Sequence, residues 1–66
     1  MKVSIAAMRV NRELTQLKVA DMLGINASTL RSWEKGITSP TYEQLLMLCS
    51  MYNCSFEDIF VPKKSA

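Results

Sequence analysis

Residues 16–35 read QLKVADMLGINASTLRSWEK, and this stretch decides the fold. Val19 and Leu23 lie four apart, so they share one face of a helix. Leu30 and Trp33 lie three apart and share a face of a second helix. Gly24 stands between them and ends the first helix, because glycine enters the left-handed region without a Cβ penalty. Asn26 is placed to cap the second helix with its side-chain oxygen. Ala20 is small where two helices must cross closely, and Ile25 adds an apolar residue at the turn. Two helices joined by a short, glycine-containing turn make a helix-turn-helix.

Outward from this stretch the punctuation continues. Upstream, Ser4 can cap a helix from Ile5 to about Arg12, with Ile5, Met8 and Arg12 on one side. Glu13 ends this helix; a residue with a Cβ in a left-handed turn costs on the order of 1 kcal/mol, so either the turn takes another form here or that cost is tolerated. Leu14 drops into the core, and Thr15 caps the helix that Gln16 opens. Downstream, Gly36 ends the third helix and Thr41 caps a fourth. Its Leu45, Leu48, Cys49 and Tyr52 form a buried stripe at helical spacing. Asn53 suits a left-handed cap. Ser55 caps a short fifth helix with Glu57 and Asp58 in its first turn, and Val61-Pro62 stops it. The expectation is all-α: one domain over residues 1–66, a compact bundle of five short helices, with 63–66 a frayed tail.

Composition narrows the function. Sixty-six residues bury only about 60% of their unfolded surface, so stability is marginal and self-association would help. Cys49 and Cys54 are two cysteines in a chain without histidine, too few ligands for a zinc site, and read as core thiols. No signal-peptide pattern and no membrane-length apolar run is present, which points to the cytoplasm and away from a membrane. Without histidine, paired carboxylates or a phosphate-binding glycine loop, neither an enzyme nor a cofactor is expected, and no small-molecule ligand is evident. Net charge is only +2, but it is polarised. Residues 1–40 hold six basic and three acidic residues, whereas residues 41–62 hold three acidic residues and no basic one. Such a polarity suits a protein that turns one face to a polyanion.

The 16–35 stretch resembles the lambda-repressor-like (Cro/repressor, XRE) helix-turn-helix DNA-binding family. The likeness extends to Leu14-Thr15-Gln16, Trp33-Glu34-Lys35-Gly36, Ser39-Pro40-Thr41, Leu45-Leu46 and the run from Cys54 to Phe60, roughly Ile5 to Phe60 in all. It implies double-stranded DNA as partner, with the second helix of the motif in the major groove. The base-facing positions are then Ala27, Ser28, Arg31 and Ser32. Arg31 is either a bidentate guanine reader, worth ~1–3 kcal/mol of discrimination, or a phosphate contact. Ala27 offers only an apolar contact to a thymine methyl. The resemblance makes Gln16 a phosphate contact that also braces the start of the third helix. Thr15, Lys18, Asn26, Thr29, Lys35 and Thr38 are its candidate phosphate neighbours. Family members often carry Lys or Arg where this chain has Ile37 and Ser39.

The same likeness implies an ion pair between Arg9 and Glu34 that links the first helix to the third. It also implies a homodimer built around the end of the fourth helix and the fifth, for which Met51, Phe56 and Val61 are the candidates. Two functions follow. One is a homodimeric, sequence-specific transcriptional regulator, a repressor of the prophage or mobile-element type on a pseudo-palindromic operator. The other is a protein-interaction module or antitoxin on the same fold with weak DNA binding, which the poorly charged loop and spare methionines motivate.

Overall fold

A computed structural model describes residues 2–62; the tail read from the sequence at 63–66 lies outside the described residues. Its elements run β1 (Val3–Ser4), α1 (Ile5–Asn11), α2 (Gln16–Leu23), α3 (Ala27–Lys35), α4 (Tyr42–Tyr52), a 3₁₀ turn (Phe56–Asp58) and β2 (Ile59–Phe60). Local chemistry sets the starts. Ser4 Oγ accepts from Ala7 N–H at 3.1 Å, and Thr15 Oγ1 accepts from Lys18 N–H at 3.1 Å. Thr41 and Gln44 close a reciprocal capping box at the start of α4.

All four helices end alike. A residue with positive φ closes each one, directly after the helix at Gly24 (72°), Gly36 (78°) and Asn53 (53°), and one residue later, beyond Arg12, at Glu13 (57°). The next N–H then reaches back five residues to a helix carbonyl: Leu14 to Arg9, Ile25 to Ala20, Ile37 to Ser32 and Cys54 to Cys49. These bonds satisfy carbonyls that would otherwise be orphaned, and Leu14, Ile25 and Cys54 return to pack against the core, whereas Ile37 stays exposed. Glu13 does adopt the left-handed conformation that its position demands.

The core is one cluster of Ile5, Met8, Val19, Leu30, Trp33, Leu48, Cys49, Tyr52 and Ile59. Each helix contributes its buried stripe, and Ala20, 2% exposed, lets α2 and α3 cross closely. The expected fifth helix is the one departure in architecture. Only one 3₁₀ turn forms after Ser55, whose N–H and hydroxyl both donate to Asp58 Oδ2, at 3.2 and 2.8 Å. These bonds hold the exposed Asp58 carboxyl below its usual range. The chain then extends at Ile59 (φ −125°, ψ 147°), which is 97% buried, and pairs in parallel with β1, Val3 opposite Ile59 and Ser4 opposite Phe60. A β-branched residue beside an aromatic favours this extended state once a partner strand lies next to it, and that strand comes from the other end of the chain.

Candidate nucleic-acid interface

α3 packs Leu30 and Trp33 inward, so the opposite face of the helix looks outward. Ser28 and Arg31 stand exposed on it, Ala27 and Ser32 are half-buried at its edges, and exposed Lys35 extends it toward the C-terminal end. The four base-reading candidates thus share one ridge. Thr29 is half-buried on the flank, with its N–H donating to Asn26 at 3.0 Å. Thr15 and Lys18 are exposed at the N-terminal end of α2, and Thr38 is exposed in the loop after α3. The cations of this surface are Lys18, Arg31 and Lys35, against the single exposed carboxylate of Asp21 on α2.

Asn26 corrects the sequence reading. Its backbone adopts capping geometry (φ −78°, ψ 147°) and its carbonyl accepts from Thr29 and Leu30, but its side chain makes no capping bond. The exposed amide is therefore not consumed by the helix and remains available to an oxygen of a ligand. Thr15 differs, because its oxygen is already engaged by Lys18 N–H and only its hydroxyl proton is left to donate.

Glu34 would be a liability on a surface meant for phosphate, and the structure turns it inward. Its Oε2 accepts from Arg9 Nε at 2.7 Å, and its Oε1 accepts from Arg9 Nη2 at 3.3 Å and from Gln16 Nε2 at 2.9 Å. Arg9 Nη1 completes the set by donating to the Leu14 carbonyl at 2.7 Å. The side chains of Arg9 and Glu34 are 15% and 7% exposed. The fork-on-fork geometry raises the affinity of the Arg9 guanidinium for its proton, chiefly through the Glu34 hydrogen bond and against the opposing effect of burial. Three consequences follow. α1, α2 and α3 are tied at one point, Glu34 is neutralised where α3 ends, and Arg9 is spent on structure. Gln16 also departs from expectation, since it braces the end of α3, not its start.

Sequence reasoning missed Arg12. It is exposed beyond α1, yet its Nε donates to the Tyr52 carbonyl at 2.6 Å and its Nη2 to the Asn53 carbonyl at 3.4 Å. A cation at the C-terminal end of α4 satisfies helix-end carbonyls and opposes the negative end of the dipole. No local signal announces this bond, because the acceptors are backbone atoms forty residues along the chain.

The three dimer candidates do not form one patch. Met51 is half-buried in an open groove of about 300 Å³ that Met22, Leu23, Met47 and Ser50 also line. Val61 is half-buried against the core. Phe56 is exposed, its ring 5.4 Å from that of Tyr42 and tilted by 55°. Tyr42 opens α4 while Met51 sits near its end, some nine residues or ~13 Å along the axis.

A family model described as helix-turn-helix matches residues 5–59. The chain belongs to the lambda-repressor-like helix-turn-helix family. Membership supports a DNA-binding regulator in the coarse sense, with α2 and α3 as the two helices of the motif. Among curated proteins, the chain is 34% identical over 56 residues to the antitoxin PezA of Streptococcus pneumoniae serotype 4, an alignment covering 85% of this chain. That alignment spans only 35% of the relative's own length. No solved structure matches the chain. Among the described residues no cluster of three potential metal ligands occurs, and no helix is long and apolar enough to cross a membrane.

Proposed function

We propose that this chain is a sequence-specific, non-enzymatic transcriptional regulator that acts in the cytoplasm as a repressor and binds double-stranded DNA through the outward face of α3. The observation that carries the reading is that face itself. Ala27, Ser28, Arg31 and Ser32 share it, Lys18 and Lys35 flank it, and the one carboxylate of α3 is turned away into the Arg9 pair. With α3 in the major groove, Arg31 reaches base edges, while Thr15, Gln16, Lys18, Asn26, Thr29, Lys35 and Thr38 meet phosphates and fix the register. Small Ala27, Ser28 and Ser32 leave Arg31 as the main discriminating contact, so each half-site is read modestly. Two copies on a pseudo-palindrome, with half-sites ~34 Å apart, compensate for that by doubling the contacts. Self-association draws on two separate contacts, Met51 in the groove near the end of α4 and Phe56 beside Tyr42 at its start, with Val61 following Phe56 in the chain. An operator of the prophage or mobile-element type, blocked by simple occupancy, suits so small a domain.

The test is selection of bound DNA from a random duplex pool, with wild type and Arg31→Ala. The expected result is a pseudo-palindromic consensus that loses preference at one position per half-site in the variant. Uniform weakening at every position would move Arg31 to phosphate, and no enrichment over random DNA, or affinity insensitive to salt, would sink the reading.

The likeness to an antitoxin favours a second reading. In it the fold serves as a protein-interaction module or antitoxin, and DNA binding is weak. Affinity purification from the native host separates the two. A stoichiometric partner protein with little free DNA affinity supports the antitoxin reading; tight DNA binding with no partner retained removes it.

A further inference from the structure

The C-terminal end of α4 carries chemistry that the other helix ends do not. Asn53 stands in the left-handed region, and the Cys54 N–H returns to the Cys49 carbonyl at 3.0 Å. A closure of this type brings the side chain at its far end against the one at its near end. At the ends of α1, α2 and α3 those pairs are Arg9 with Leu14, Ala20 with Ile25 and Ser32 with Ile37. At the end of α4 both are cysteines, and both are free thiols. Cys49 is buried in the core cluster, and half-buried Cys54 packs against that same cluster.

We propose that Cys49 and Cys54 form a modification site, a dithiol that low-molecular-weight disulfides such as oxidised glutathione convert reversibly into an intramolecular disulfide across the turn closing α4. The two thiols differ in reach. Burial, and next the neighbouring Cys54, push the Cys49 thiol up to about 11, so Cys49 does not start the exchange. Half-buried Cys54 loses its proton and attacks one sulfur of the oxidised glutathione, and the other sulfur leaves as one glutathione thiolate. A mixed disulfide remains on Cys54. Cys49 then gives up its proton as its sulfur attacks Cys54 sulfur, and the second glutathione thiolate departs. The two protons end on the two departing thiolates, so two protein thiols are oxidised and one disulfide is reduced to two thiols.

The bond would pin the left-handed turn at Asn53, whose carbonyl and that of Tyr52 hold Arg12. In a reducing compartment such a pair rests as thiols and closes only when the thiol pool is depleted, which is the behaviour of a redox sensor.

The experiment equilibrates the folded, full chain in reduced and oxidised glutathione mixtures, quenches with acid and alkylating agent, and reads intact mass. Wild type is expected to lose two hydrogen atoms, to remain monomeric on a non-reducing gel and to revert with dithiothreitol. Cys49→Ala is expected to stop at one glutathione adduct, and Cys54→Ser to gain none. Hydrogen exchange at the Cys54 amide should slow roughly tenfold in the oxidised form, because the turn can no longer open locally. Three results overturn the proposal: an adduct on wild type that never resolves, a cross-link between chains, or a folded chain that stays inert while the urea-unfolded chain oxidises. If Cys49→Ala loses its helical circular dichroism, the wild-type mass and its exchange rate decide alone.

Discussion

Glu34→Ala is the most informative single change to the scaffold. It removes the acceptor of two Arg9 bonds and one Gln16 bond at a point where the Arg9 and Glu34 side chains are 15% and 7% exposed. The guanidinium keeps only the Leu14 carbonyl among its present partners. Breaking a buried ion pair from one side costs ~3–5 kcal/mol, because the remaining charge is left desolvated. Arg9 retains some contact with water, which places this case near ~3 kcal/mol. The unpaired Gln16 amide adds less than ~1 kcal/mol, since it too is half-exposed. A chain of this size has a total stability of roughly 3–10 kcal/mol, so Glu34→Ala should remove about a third of it or more. The double variant Arg9→Met, Glu34→Leu replaces both ends with apolar groups of similar reach and should cost less than Glu34→Ala alone. Urea unfolding followed by circular dichroism of wild type, Arg9→Met, Glu34→Leu and the double variant gives the four corners of the cycle. The expected coupling is about 2 kcal/mol in favour of the pair. Single costs that simply add, within ~0.5 kcal/mol, would refute the assignment of Glu34 as the common anchor of α1, α2 and α3.

Further outcomes test other parts of the fold. Gly24→Ala should cost about 1 kcal/mol and no more, because φ is +72° but an added Cβ would have no atom within 4 Å; a loss above ~3 kcal/mol in urea unfolding would mean that the site is crowded after all. Tyr52 is fully buried and its hydroxyl has no hydrogen-bond partner among the described residues, so Tyr52→Phe should leave the stability measured by urea unfolding unchanged or raise it by up to ~1 kcal/mol, and a clear loss would reveal a partner for that oxygen. Alkaline pH should unfold the protein. Burial pushes the Cys49 thiol from 9.0 to about 11, and burial followed by nearby Glu34 pushes the Tyr52 phenol from 10.0 to about 12. The unfolded chain releases both protons first, hence holds fewer protons than the folded chain, and stability falls as pH rises. It should be flat up to the lower of these values and then drop by up to ~1.4 kcal/mol per pH unit for each group. Tyr52→Phe should remove the upper part of that decline, and a urea midpoint constant through pH 11 contradicts both assignments.

The sequence alone determined whatever is decided within about five residues. Helix starts follow from Ser4, Thr15 and Thr41, which bond to N–H groups three residues on, and helix ends follow from Gly24, Gly36 and Asn53. Helical periodicity placed Leu30 and Trp33 inside, and thereby put Ser28 and Arg31 outside, before any tertiary contact was known. What needed the tertiary structure was every choice between local options that are nearly equal in energy. Ile59 and Phe60 extend because β1 offers them a partner strand across the whole length of the chain. The Asn26 side chain is left uncommitted although its backbone caps α3, and Gln16 reaches Glu34 because α2 and α3 cross with those two residues adjacent. Arg12 finds its acceptors on the last turn of α4, and Met51 and Phe56 fall at opposite ends of that helix. Hydrogen bonds between three and five residues apart can be read along a chain. A bond across twenty-five or forty residues exists only once packing has brought its two ends together.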